Sequence, residues 1–248
     1  MSLESLPDGW FRFGGGRRWR CAGPKYLCEV EDVGTTPHYG GLPHVLSKVR
    51  RIKSFYLGRI RFGQLDQSGT GVDVLVANSL TESLGTVPSP LTSASLRQVY
   101  DHANGADRGV KLDAVVRHVS AQAKFLERRE PGYVNPVATP GRFSAGSHHV
   151  LMSTALALQS QQHLPPEQRT AAIVDLVCRL PAESLLAAHL AVAYFNKSYA
   201  RHHNQPPLLA ATYNAGSPRP APANPWNLVQ YGEHIDRWVR YYNTSRMT

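Results

Sequence analysis

The chain has 248 residues, 42% hydrophobic and 18% charged, with 27 Lys and Arg against 18 Asp and Glu for a formal net charge of +9. That balance excludes a disordered polymer and fits one domain with an extension better than two small domains. The excess of positive charge points to a polyanionic partner, whether nucleic acid, anionic lipid or a wall carrying carboxylates and phosphates. Basic residues are scattered in short clusters at Arg17-Arg18, Lys48 to Lys53 and Arg128-Arg129. Neither zinc-finger spacing nor an RNA-binding aromatic signature accompanies them, so no nucleic-acid partner is expected.

Residues 1 to about 45 are rich in Gly, Pro and aromatics, including Trp10 to Phe13, Gly14 to Gly16 and Trp19, and predict turns and short strands, with an alternating stretch at Tyr26 to Val33. Met1 to Ser5 has neither a basic n-region nor an apolar h-region, so export by the ordinary secretory route is not expected. Of the three cysteines, Cys21 and Cys28 could close a small loop in an oxidising compartment, or stay as free, buried thiols. From His44 onward the apolar spacing turns helical, through Val45, Val49, Ile52 and Tyr56. A second helix is predicted over Val72 to Glu82, apolar nearly all round as a central helix should be, and ended by Gly85, Pro88 and Pro90.

A third helix is predicted over Asp113 to Glu127, stopped by Arg128, Arg129 and Pro131. Others follow at Ser147 to Gln161, at Pro165 to Arg179 with prolines at the entry, and at Ser184 to Arg201. Leu208 to Asn214 reads as a short helix capped by Gly216. A Pro-rich loop from Ser217 to Pro225 leads to a last helix with Ile235, Trp238, Val239 and Tyr242 on one face. The expected class is mainly α. No segment reaches the run of about 20 apolar residues that crosses a bilayer.

Leu209-Ala210-Ala211-Thr212-Tyr213-Asn214-Ala215-Gly216 resembles the Ala-Tyr-Asn-Ala-Gly signature of the lytic transglycosylases, which share the goose-type lysozyme fold (SLT domain, including phage-type members). Upstream, in the order that family requires, Gly71-Val72-Asp73 opens the apolar helix and Thr81-Glu82-Ser83 closes it, similar to the family's catalytic Glu-Ser. Arg129-Glu130-Pro131-Gly132-Tyr133 resembles a segment of phage-type members, and Ser144-Ala145-Gly146-Ser147-His148-His149 resembles the Ser-x-Gly-Leu-Met-Gln loop that grips sugar. The chain departs from the pattern in that loop, where Ser147, His148 and His149 replace the apolar wall and the amide. A helical insertion is also expected near 86–127.

The resemblance implies a lysozyme-like helical domain over 46–248 behind an N-terminal extension over 1–45. It implies a peptidoglycan lytic transglycosylase, cutting the MurNAc-GlcNAc bond with one glutamate as acid and then base, and needing neither metal nor cofactor. Glu82 and Tyr213 are then the catalytic residues, with Ser83, Glu130, Tyr133, Ser144, Gly146, His148, His149 and Asn214 lining the substrate. The partner is the glycan strand, and the extension is a candidate contact to a phage particle or secretion machine. Action on the cell wall without a signal peptide implies a virion-carried or otherwise delivered enzyme. Hydrolysis by water, and a catalytically weak binding or structural component, are the alternatives.

The residues suit this chemistry. Glycosidic cleavage needs an acid still protonated near neutral pH, which a carboxyl gains by sitting in an apolar pocket. Glu82 follows the most hydrophobic helix and has no basic residue within eight positions on either side. Glu130 follows Arg128 and Arg129, which favour its ionised form; it could orient a water or simply pair with an arginine. The adjacent histidines at 148–149 and 202–203 form no His-Glu-x-x-His motif, and no third ligand can be named, so no metal site is expected. Cys178 and His189 lie on apolar helix faces and read as core rather than as a nucleophilic pair.

Overall fold

The computed structural model describes residues 2–22, 27–33, 42–66, 70–84, 144–180, 184–202, 205–230 and 232–248. Among these the protein is mainly helical, with a small four-stranded antiparallel sheet at the N-terminus. The helices are α1 (Leu42–Arg61), α2 (Val72–Leu84), α3 (Met152–Leu158), α4 (Pro166–Arg179), α5 (Ser184–His202), α6 (Pro206–Ala215) and α7 (Gly232–Met247). The helix expected over 113–127, the inserted region near 86–127, Glu130 and Tyr133 lie outside the described residues. The chain forms two compact units, one of Met1–Leu84 with Val192–Thr248 and one of Gly85–Ala191.

In the first unit, β1 (Leu3–Ser5), β2 (Phe11–Phe13), β3 (Trp19–Ala22) and β4 (Leu27–Val30) pair in sequence order. The register sets Leu3 opposite Phe13, Phe11 opposite Trp19 and Trp19 opposite Val30. Side chains alternate across a strand, so Phe13, Trp19, Cys28 and Val30 share the buried face. The other face carries the ion pairs Arg12–Glu4 and Arg20–Glu29, each at 2.6 Å, with the Arg20 guanidinium 4.8 Å from the Trp10 ring centre. Such exposed pairs each contribute less than about 1 kcal/mol. Cys21 and Cys28 stand directly opposite each other and are not joined in a disulfide, Cys28 buried and Cys21 half-buried.

Among the described aromatics of this segment, Trp19 serves packing. Trp19 is fully buried with its ring centre 6.3 Å from that of Trp226. Arg17 lies over the Trp226 ring at 5.5 Å and pairs with Asp236, which also accepts from Trp226 Nε1 at 3.0 Å. The turn after β2 is drawn in tightly: Arg17 N donates to Pro225 O at 2.8 Å, and a Cβ on Gly16 would meet the Trp226 carbonyl carbon at 2.5 Å. Gly16→Ala is therefore expected to cost about 1–3 kcal/mol, the usual penalty for overpacking, read as a lowered midpoint in thermal unfolding.

α2 is buried on nearly every side, from Asp73 through Thr81, and packs against α1 and α7. This is why its sequence has no polar face. Asp73 in its first turn complements the positive end of the helix and ties three helices together. It accepts from Ser245 Oγ at 2.6 Å, and it pairs with Lys53 at 3.1 Å and with Arg246 at 3.3 Å.

In the second unit, β5 (Ser144–Ala145) and β6 (Val150–Leu151) form a short hairpin. The helix expected from Ser147 thus begins later, at Met152, and closes at Leu158. The reason lies in the turn. Gly146 (φ 80°) and His149 (φ 45°) adopt left-handed conformations that no helix accepts, and His149 N donates to Gly146 O at 3.1 Å. Gly146 also lies so close to Leu180 that a Cβ would sit 3.0 Å from its side chain. Val150, Met152, Leu156, Ile173, Leu176, Leu180 and Leu190 form the core of this unit. His189 is exposed on α5 and does not belong to that core, contrary to expectation, because it sits on the side of the helix opposite Ala187 and Leu190, which pack into the apolar cluster. The Cys178 side chain lies outside the described residues.

Candidate active site

Three elements of the first unit bring chemistry-bearing side chains together. The first is the C-terminal end of α2, where Asn78 and Glu82 stand one turn apart on the same side of the helix. The second is the last turn of α6, carrying Tyr213 and Asn214. Gly216, left-handed at φ 76°, ends that helix, and its N–H donates to Thr212 O at 2.7 Å. The third is the N-terminal half of α7, with His234, Arg237, Trp238 and Tyr241 spaced along neighbouring turns.

Tyr213 is held by its ring. It stacks on Phe195 with centres 4.9 Å apart and planes 20° apart, and it meets Tyr194 edge-on at 5.2 Å. Tyr194 is itself fixed, donating its hydroxyl to Thr212 O at 2.8 Å. The Tyr213 hydroxyl is hydrogen-bonded to Asn78. Trp238 Nε1 donates to Asn78 Oδ1 at 3.3 Å, and the Asn78 bond to Tyr213 favours the phenolate, as an amide N–H given to the phenol oxygen does. Trp238 is in turn stacked on Tyr242, planes 12° apart. Burial, and then the nearby Glu82, push the Tyr213 phenol well above its ordinary range, so it remains protonated at any working pH.

Glu82 has the environment an acid catalyst needs. Its side chain is only 12% exposed, and its Oε1 lies 3.5 Å from His234 Nε2. Burial raises its pKa to about 7, against the opposing pull of Arg237. A cation distant in sequence therefore faces this carboxyl, yet desolvation outweighs it. His234 moves the other way. Burial first, and Arg237 second, lower its pKa to about 4, so the imidazole is neutral beside a carboxyl poised between its two forms. Asn214 Nδ2 lies 3.3 Å from the same His234 nitrogen, and Gln230 Nε2 donates to Asn214 Oδ1 at 3.1 Å.

Of the residues singled out from the sequence, Glu82, Tyr213 and Asn214 come together here. Ser83 follows Glu82 in α2, its side chain outside the described residues. Ser144, Gly146, His148 and His149 belong to the hairpin of the second unit. There His148 is fully buried, with its pKa lowered to about 3 by burial first and by His149 second. Among the described residues, no three His, Cys, Asp or Glu are grouped so as to hold a metal ion.

Sequence reasoning missed Asn78, His234 and Arg237. Asn78 had a readable signal, being an amide one turn before Glu82 in a mostly apolar helix, where a buried amide requires partners. His234 and Arg237 flank the apolar stripe of the last helix. No local pattern says which flank faces another helix.

Comparison of the chain with protein-family models, with curated proteins and with solved structures finds no match in any of the three.

Proposed function

We propose that the protein is a lysozyme-like peptidoglycan lytic transglycosylase with Glu82 as its acid and base. The observation that carries this reading is the buried Glu82 carboxyl, still half-protonated at about pH 7, in the same cluster as the tyrosine of a Tyr-Asn-Ala-Gly phrase. In this reading Glu82 gives its proton to the oxygen of the MurNAc-GlcNAc bond as that bond breaks. The resulting carboxylate then takes the proton of the sugar's own 6-hydroxyl, whose oxygen closes an anhydro ring. One carboxyl does both steps, unlike the paired carboxylates of most glycosidases. Tyr213, neutral and fixed by Phe195 and Asn78, orients the carboxyl and the sugar oxygens. The glycan strand is the partner, and the net charge of +9 suits a wall rich in carboxylates and phosphates.

Digestion of peptidoglycan sacculi tests the reading. Mass spectrometry is expected to find anhydro-muropeptides; products heavier by one water would instead assign hydrolysis. Cleavage should fall about tenfold per pH unit above about pH 7, as Glu82 loses the proton it must donate. No product anywhere between about pH 5 and 8 overturns the enzyme reading.

One observation favours a second reading, a binding or structural component. His148 is buried inside its own unit, so a sugar reaching that hairpin meets neither His148 nor the leucine, methionine and glutamine of the family loop.

A further inference from the structure

We propose that His234 is a positioning residue of this site, its Nε2 kept free of hydrogen beside the Glu82 carboxyl by a hydrogen-bond relay from Gln230 through Asn214. The direction of the relay follows from which atoms can donate. Gln230 Nε2 carries hydrogens and lies 3.1 Å from Asn214 Oδ1, so the Asn214 oxygen accepts and its amide nitrogen is turned to His234. That nitrogen, 3.3 Å from His234 Nε2, has hydrogens to give and no lone pair to offer. Nε2 must therefore accept, and the single proton of the neutral imidazole resides on Nδ1.

The same Nε2 stands 3.5 Å from Glu82 Oε1. A ring nitrogen without a hydrogen has nothing to donate to a carboxylate, and its one lone pair, shared between Asn214 and a protonated Glu82, disfavours the ionised form. The contact is long for a hydrogen bond, as those of catalytic acids often are before substrate binds. Among the described residues, Tyr213 and Arg237 also face the carboxyl and do not supply this bias. Tyr213 on α6 is neutral, and Arg237 on α7 favours the ionised form. The relay thus adds to burial in keeping the proton on Glu82, and it gives the Asn of the Tyr-Asn-Ala-Gly phrase a task besides contact with sugar. The use made of that proton rests on the transglycosylase reading; the relay itself does not.

The test is nuclear magnetic resonance on the full chain with labelled histidine and glutamate, the Glu82 signal being assigned by its loss in Glu82→Gln. In the wild type, the His234 nitrogens are expected to show protonated Nδ1 and bare Nε2. Asn214→Ala, at an exposed position where the fold should tolerate it, releases the ring to the other tautomer. Nε2–H then donates to the carboxylate, and the Glu82 titration falls by about one pH unit, a tenfold loss of proton affinity. The alkaline limb of the cleavage profile is expected to move by the same amount. A wild type with protonated Nε2, or an unmoved Glu82 titration in Asn214→Ala, overturns the relay. The two proposals fail separately. A protein that releases no glycan yet shows the expected tautomer and titration loses only the enzyme reading, whereas an active one with an unmoved titration loses only the relay.

Discussion

Glu82→Gln is expected to lower glycan cleavage by at least about a thousandfold and, at the same time, to stabilise the fold above neutral pH. The first effect follows because an amide has no proton to give. The second follows from linkage. An exposed glutamate in the unfolded chain ionises near pH 4.3, but the folded protein holds the Glu82 proton up to about pH 7. Between those values the folded state binds more protons than the unfolded state, so stability from this group is fully present below about pH 4 and drains away as pH rises through about 7. The resulting loss is about 3 kcal/mol above pH 8, in order of magnitude. Glutamine, uncharged at all pH values, escapes it. Urea unfolding of the two proteins should therefore give nearly equal stabilities at about pH 4 and a more stable variant at about pH 8. Equal stabilities at both would mean the carboxyl ionises as freely folded as unfolded.

The second large effect is expected at Asp73, at the opposite end of α2 from Glu82. Its carboxylate, almost wholly buried, is where Lys53 of α1 and Ser245 and Arg246 of α7 converge on the first turn of α2. Asp73→Ala would leave the mostly buried Lys53 ammonium and the fully buried Ser245 hydroxyl without the carboxylate they were folded around. Removing one partner of a buried ion pair costs about 3–5 kcal/mol, because the remaining charge is stranded. For a chain of this size that lowers the thermal midpoint by roughly 10 °C. Asp73→Asn should recover part of the loss, since an amide oxygen still accepts from Ser245. A thermal midpoint within a degree or two of wild type would place the three helices under some other control.

Much of this site is legible in the sequence where one element is enough to state it. The apolar run of α2 announces a central helix, and a lone acid at its end announces a desolvated carboxyl. Gly216 marks the end of α6, so Tyr213 falls in that helix's last turn. What stays hidden depends on neighbours remote in the chain. His189 sits among apolar residues and reads as core, but the helix turns it to solvent. Gly146 takes its left-handed turn in the β5–β6 hairpin hard against Leu180, a contact that no window around residue 147 contains. His234 faces Glu82 only because α7 packs on α2, and a hydrophobic stripe fixes the buried face of a helix without naming the residues at its margin.

The bond between Trp238 and Asn78 joins residues 160 apart in the chain, and that between Ser245 and Asp73 spans 172. Closing loops of that length costs chain entropy that is lost before any contact offsets it. A nascent chain still on the ribosome therefore displays Glu82 on an uncovered α2, hydrated and ionised like any surface glutamate. The acid comes into being only when translation has delivered α7 and the helix has docked, so unfinished chains carry the residue without its chemistry.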